Sequence, residues 1–215
     1  MPRLPIPTLP ARPRTRLIAA SCGVGAVLLP LSTPLTLWSA SHPWAWWPYT
    51  DRWLAVYLAY GLLAGLLSWA LVRAVARVEP FSWIVGSALG YTVGYVVAWQ
   101  GLFLLLLLYW IAPALCAGAV QSCLLRWQCR AGGWWIGVQL AASALATLTY
   151  GLPQVGWMIL VTGPRDFADM DLVTLLIAAV LLGVAGLVYG AVVGLGLVRL
   201  SEQVRRARAT APAAQ

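Results

Sequence analysis

The sequence predicts an all-α protein, a polytopic transmembrane helical bundle of six spans with both termini cytoplasmic, and three observations predict it. Of 215 residues, 61% are hydrophobic and 9% are charged; a soluble domain carries roughly 25% charged residues, so this chain cannot cover a water-facing surface. Its apolar residues gather into stretches of about twenty, the length that crosses a hydrocarbon core at 1.5 Å per helical residue. All 14 basic residues are arginine. Twelve of them flank the apolar stretches on one side, leaving Arg52 and Arg165 on the other, and that asymmetry marks the arginine-rich side as cytoplasmic.

Residues 1–16 hold Arg3, Arg12, Arg14 and Arg16 among prolines with no acid, which predicts a basic cytoplasmic tail with no core of its own. The first span covers 17–38, where Pro30 and Pro34 kink the outer half. Five tryptophans from Trp38 to Trp53 then place the connecting segment in the outer interface. Span two, 53–72, ends at Arg73, Arg77 and Glu79, and Pro80 separates it from the next helix. Residues 83–125 are apolar except at Gln100-Gly101, yet arginines anchor both ends on the same side. The stretch must therefore cross twice, as spans 83–99 and 102–125, with a tight turn at Gln100-Gly101 and a possible kink at Pro113. The chain leaves the membrane at Arg126, turns through Arg130 and re-enters at Trp134 and Trp135, read as headgroup-level residues. Span five, 134–151, leads to an outer loop with Arg165, Asp166, Asp169 and Asp171. Asp169 and Asp171 suit the N-terminus of span six, 172–198. Residues 200–215 form a second cytoplasmic tail.

One turn is written twice. Gly65, Arg73, Arg77 and Trp83 correspond to Gly118, Arg126, Arg130 and Trp135 at an offset of 52 to 53 residues, with Ser68 in the place of Gln121. Gly194 and Arg199 give a fainter third copy of the first half. The pattern reads as duplicated helix hairpins.

The absence of Asp, Glu, Lys, Arg and His from all six spans is the strongest functional signal, because proton relays, ion pathways and most coupled transporters use such groups. With no lysine, no Schiff base forms. The one histidine, His42, lies in the outer loop, where it is at most an axial ligand to a porphyrin or chlorin; no cofactor and no metal site are expected. The four cysteines lack C-x-x-C spacing and read as free thiols. Two glycine ladders, Gly86, Gly90, Gly94 and Gly186, Gly190, Gly194, place small residues on one face each, a glycine zipper for close helix packing, of spans three and six on each other or between copies of the chain. Gln121 and Gln139 need polar partners inside the bundle and are expected to bond between helices. Arg73, Arg77, Arg126, Arg130 and Arg199 read as lipid-headgroup anchors. The formal charge of +8 is then matched by anionic lipid on the cytoplasmic side and not by nucleic acid.

The run Gly118-x-x-Gln121-x-x-x-x-Arg126, followed by Ala131-Gly132 and Trp134-Trp135-Ile136, resembles a unit repeated in uncharacterised multi-pass bacterial membrane proteins. In those a tryptophan usually follows the glutamine; here Ser122 does, while the earlier copy has Trp69 without the glutamine. The resemblance implies a bacterial plasma (inner) membrane location and brings no activity. From the residues, the expected role is a non-catalytic scaffold or accessory subunit of a larger membrane complex, with a membrane-protein partner or a second copy. The alternative is a facilitator or permease-type transporter of a neutral or apolar solute, and an intramembrane enzyme ranks third. A polar cavity reaching Gln121 or Gln139 distinguishes transport from scaffolding.

Overall fold

The computed structural model describes residues 13–41, 49–100, 108–129, 132–157 and 172–209. They form six helices and, among the described residues, no strand: α1 (Pro13–Ser41), α2 (Tyr49–Val72), α3 (Pro80–Gln100), α4 (Leu108–Cys129), α5 (Trp135–Trp157) and α6 (Leu172–Ala209). Three of them, over Arg14–Leu31, Leu54–Val72 and Leu176–Ala207, hold stretches long and apolar enough to cross a membrane. His42, Gly101, Leu104 to Leu107, Arg130, Arg165, Asp166, Asp169 and Asp171 lie outside the described residues.

The helix bounds differ from the sequence reading where local chemistry favours helix beyond the apolar stretch. Both α1 and α3 start on a proline, Pro13 and Pro80, at the first helical position, where the missing N–H would have no partner in any case. At the other end of the chain α6 continues past Val198 to Ala209 through Glu202, Gln203 and three further arginines, good helix formers all. The segment read as a tail is thus helical over most of its length. Glu79 holds the start of α3: its carboxylate accepts from the Ser82 hydroxyl, from Ser82 N–H at 2.6 Å and from Phe81 N–H at 3.0 Å. The Ser82 bonds, the hydroxyl first, keep this carboxyl below its ordinary range despite full exposure.

Each helix packs against its neighbour in sequence, and α6 returns to α1, so the six close into a ring. Glycine sets the spacing. A Cβ on Gly90 would stand 2.6 Å from the Cα of Ala117, and one on Gly94 2.7 Å from the carbonyl oxygen of Ala112, so the ladder of α3 is pressed onto the backbone of α4. The ladder of α6 meets α1: Gly186 faces the carbonyl of Gly25, and Gly190 faces the carbonyl of Ser21. The two ladders therefore serve two separate seams and do not pack face to face, a correction to the pairing of spans three and six.

Three of the seams repeat one another. A Cβ on Gly65 would stand 3.1 Å from Ile84 Cα and 3.2 Å from Ser87 Cβ; on Gly118, 3.5 Å from Ile136 Cα and 2.8 Å from Gln139 Cβ; on Gly194, 2.8 Å from Ile18 Cα and 3.3 Å from Ser21 Cβ. In each case a glycine sits over an Ile-x-x-Ser or Ile-x-x-Gln step of the partner helix. The pairs are α2 with α3, α4 with α5, and α6 with α1. The third hairpin is thus split between the two ends of the chain, and its second half is α1.

The turns of the first two units are tied the same way. Trp69 donates its indole N–H to Val78 O at 3.3 Å, and Ser122, one repeat later, donates to Gly132 O at 3.2 Å. Ser122 also accepts from Ile136 N–H at 2.9 Å, satisfying an amide in the first turn of α5. Gly132 adopts φ 83°, a left-handed conformation that side chains rarely take, and there the chain reverses. Further ties link the units: Gln128 accepts from Glu79 N–H at 2.9 Å, and Arg14 pairs with Glu202 at 2.9 Å across α1 and α6. The ion pair is exposed and contributes no more than about 1 kcal/mol.

Candidate functional site

The ring encloses a cavity of about 90 Å³ along its axis, lined by residues of all six helices. By the same measure one water needs about 10–15 Å³, so several fit. The lining on α5 extends from Trp135 to Tyr150 and on α6 from Leu182 to Leu197, which at 1.5 Å per residue makes the space about 20 Å long. Among the described residues, no carboxylate, amine, guanidinium or imidazole lines it.

Its floor lies toward the arginine-rich ends of the helices. There Gln121, 1% exposed, gathers three partners from two helices. Its Oε1 accepts from the Trp135 indole at 2.8 Å and from Gln139 Nε2 at 3.1 Å, and its Nε2 donates to Ser87 Oγ at 2.9 Å. Gln139 Oε1 in turn accepts from the Tyr189 hydroxyl, which stands 3.4 Å from the hydroxyl of Tyr91. Since the Tyr189 proton is committed to Gln139, Tyr91 is the donor in that last pair. Four helices, α3, α4, α5 and α6, are joined by one uncharged chain of hydrogen bonds. In the first unit the equivalent contact is Trp83 Nε1 donating to Ser68 Oγ at 3.0 Å. In the third, Leu17 and Leu197 replace the indole and its acceptor and belong to one apolar cluster.

Below this floor Val72, Trp83, Leu125, Trp135, Leu197, Leu200 and Val204 pack into a seal. Trp83 and Trp135 are 0% and 1% exposed, so Trp135 is not the headgroup residue that its place beside the basic turn implied, and its counterpart Trp83 is equally buried. They turn inward because each indole N–H finds an acceptor there. Trp134 fits the interfacial expectation better: it lies half-buried, 5.2 Å beneath the Arg199 guanidinium, and donates to Gln203 at 2.7 Å. Arg73 rests over Trp69 at 4.8 Å. Arg73, Arg77, Arg126 and Arg199 are all exposed, outside the cavity.

Above the floor the walls differ in character. On the α2 and α3 side Tyr57 and Tyr95 stack at 3.9 Å, and Tyr60 meets Tyr91 and Tyr95 edge-on. Across the cavity Ser143 and Thr147 follow Gln139 at intervals of four, all three buried on one face of α5. The sequence reading did not single out this stripe; the i, i+4, i+8 spacing of polar residues in an apolar span was the available signal. It also missed the tyrosines, which fit interface and interior equally well.

The described residues form a six-helix bundle, three of its helices long and apolar enough to cross a membrane, around a cavity whose described lining is uncharged and hydrogen-bonding. Compared with protein-family models, curated proteins and solved structures, the chain matches none.

Proposed function

We propose that the protein is a six-span facilitator for a small neutral solute in the bacterial inner membrane, with its arginine-rich end cytoplasmic, acting without catalysis. The observation that carries this reading is the axial cavity itself, uncharged among its described lining residues and bordered by the Gln121–Gln139–Tyr189 chain. Ions find no counter-charge in it, whereas a neutral polar molecule finds hydrogen bonds. Repeats arranged around an axis that holds the site are a recurring transporter plan. The ladder glycines, one of the grounds for a scaffold, are occupied within the chain, by α4 on one side and α1 on the other.

Reconstitution into vesicles tests the function. In stopped-flow light scattering, water, glycerol, urea or acetamide is expected to cross faster than in protein-free vesicles, with no potassium or proton flux. Rates equal to those of empty vesicles for all four, or a potassium flux, overturn the reading. The orientation has its own test in a variant keeping Cys129 alone of the four cysteines. Cys129 lies beside Arg77 O, to which its thiol donates at 3.5 Å. A membrane-impermeant maleimide is expected to label it only after the cells are opened, and labelling of intact cells reverses the orientation.

A further inference from the structure

We infer that the solute is a hydroxyl compound, water or a small polyol, and that Ser143 and Thr147 of α5 form the polar rail along which it moves, with Gln139 and Tyr60 as donors beside it. The inference rests on the facilitator reading and adds the solute class and the selecting residues. It follows from which hydrogen-bonding groups in the cavity are spent and which are left.

Ser143 donates its proton to Leu140 O at 3.1 Å and Thr147 to Ser143 O at 2.7 Å, both within their own helix. Hydroxyls bonded back in this way have only lone pairs to offer the lumen. The rail is therefore a row of acceptors. Donors stand elsewhere. Gln139 uses one of its two amide protons, on Gln121, and keeps the other. Tyr60 lines the cavity at 7% exposure, and among the described residues its hydroxyl has no hydrogen-bond partner. A buried donor without a partner is costly and rare in a finished structure, and it points to a molecule that completes it.

A solute that satisfies both sets must donate to the rail and accept from Tyr60 and Gln139. The hydroxyl group does both through one atom. A ketone or ether, which only accepts, leaves the rail unused, and a charged solute meets no counter-charge. In a file of waters about 2.8 Å apart, every second one meets the next oxygen of the rail, about 6 Å further along the helix.

The test uses the full chain in vesicles and two variants. Thr147→Val combined with Ser143→Ala removes the rail's oxygens at nearly constant volume. Thr149→Val removes a hydroxyl from the same helix that makes the same backward bond, to Leu145 O at 2.8 Å, but lies outside the cavity. The double variant is expected to lose about tenfold in water or glycerol permeability, and Thr149→Val to keep the parent rate with the same thermal stability. Loss for water alone assigns a water file, and loss for both assigns polyols. If urea or acetamide passes but water and glycerol stay at the empty-vesicle rate, the inference falls while the facilitator reading stands. It falls equally if the double variant, folded as judged by its melting temperature, keeps the parent permeability to water and glycerol. If none of the four solutes passes, both fall.

Discussion

Gly190→Ala is expected to lower the stability of the protein by about 2–3 kcal/mol, while Gly183→Ala, seven residues away on the same helix, leaves it unchanged or raises it slightly. At Gly190 the new methyl group would meet the carbonyl of Ser21 and lie 2.6 Å from the Cα of Cys22. Those are backbone atoms of α1 and cannot turn aside as a side chain would. The helix as a whole must back away, and in doing so it loses the Gly25–Gly186 and Gly194–Ile18 approaches along the same seam. Against this stands the gain in helix propensity from glycine to alanine, at most about 1 kcal/mol. Overpacking wins at Gly190. At Gly183 nothing lies within 4 Å of the added atom, so only the propensity gain remains. Unfolding by graded additions of denaturing detergent, followed by circular dichroism, gives both values. Equal responses at the two positions would show that α1 and α6 are not held at backbone contact. Gly90→Leu tests the other seam on the same grounds, against Ala117 of α4.

Much of this architecture is legible in the sequence because it depends on local quantities. An apolar stretch of about twenty residues is a helix in lipid whatever its neighbours are, since no other local structure satisfies the backbone there. The repeat from Gly65 to Trp83 and from Gly118 to Trp135 is local as well, two helices and the turn between them. The third unit escapes such reading for a topological reason. Its glycine is Gly194 and its Ile-x-x-Ser step is Ile18 to Ser21, with nearly the whole chain between them. A search along the sequence finds half a hairpin at one end and does not connect it with the other. Only ring closure joins them.

The site was half legible for a similar reason. Gln121 and Gln139 stand out in an apolar span, and their need for partners follows from the cost of an unpaired amide in a low-dielectric interior. Who the partners are depends on facing directions. Trp83 and Trp135 next to arginines fit the headgroup region on composition; what turns them inward is an acceptor one helix away, Ser68 or Gln121. The duplication carried that information, because the two tryptophans share a register with the two polar residues. Tyr60, Tyr91 and Tyr189 had no such marker, and their common lumen exists only once α2, α3 and α6 stand in one ring.

Gln121→Leu is the second large effect, expected at about 2–3 kcal/mol of destabilisation. The substitution is close in volume, so little of the loss comes from packing. It comes from three stranded groups: the Trp135 indole N–H, the Gln139 amide N–H and the Ser87 hydroxyl all lose their partner at once. Single interhelical bonds in membrane proteins contribute about 0.6 kcal/mol on average, because the separated helices find other partners. Three bonds at that value give a lower bound. A buried donor left unpaired costs about 1–3 kcal/mol, which sets the upper side, and the neighbouring cavity limits it, since a water held there can restore the Gln139 bond. Trp135, 1% exposed in the apolar cluster with Leu125 and Leu197, also borders the cavity, so its indole is open to the same repair. A double-mutant cycle separates the contributions. Trp135→Phe on the Gln121→Leu background is expected to cost less than Trp135→Phe alone, because the second substitution then removes a stranded donor and not a bonded one. Additive costs in that cycle would mean that the Trp135–Gln121 bond does not hold α5 to α4, and the floor of the cavity would need another explanation.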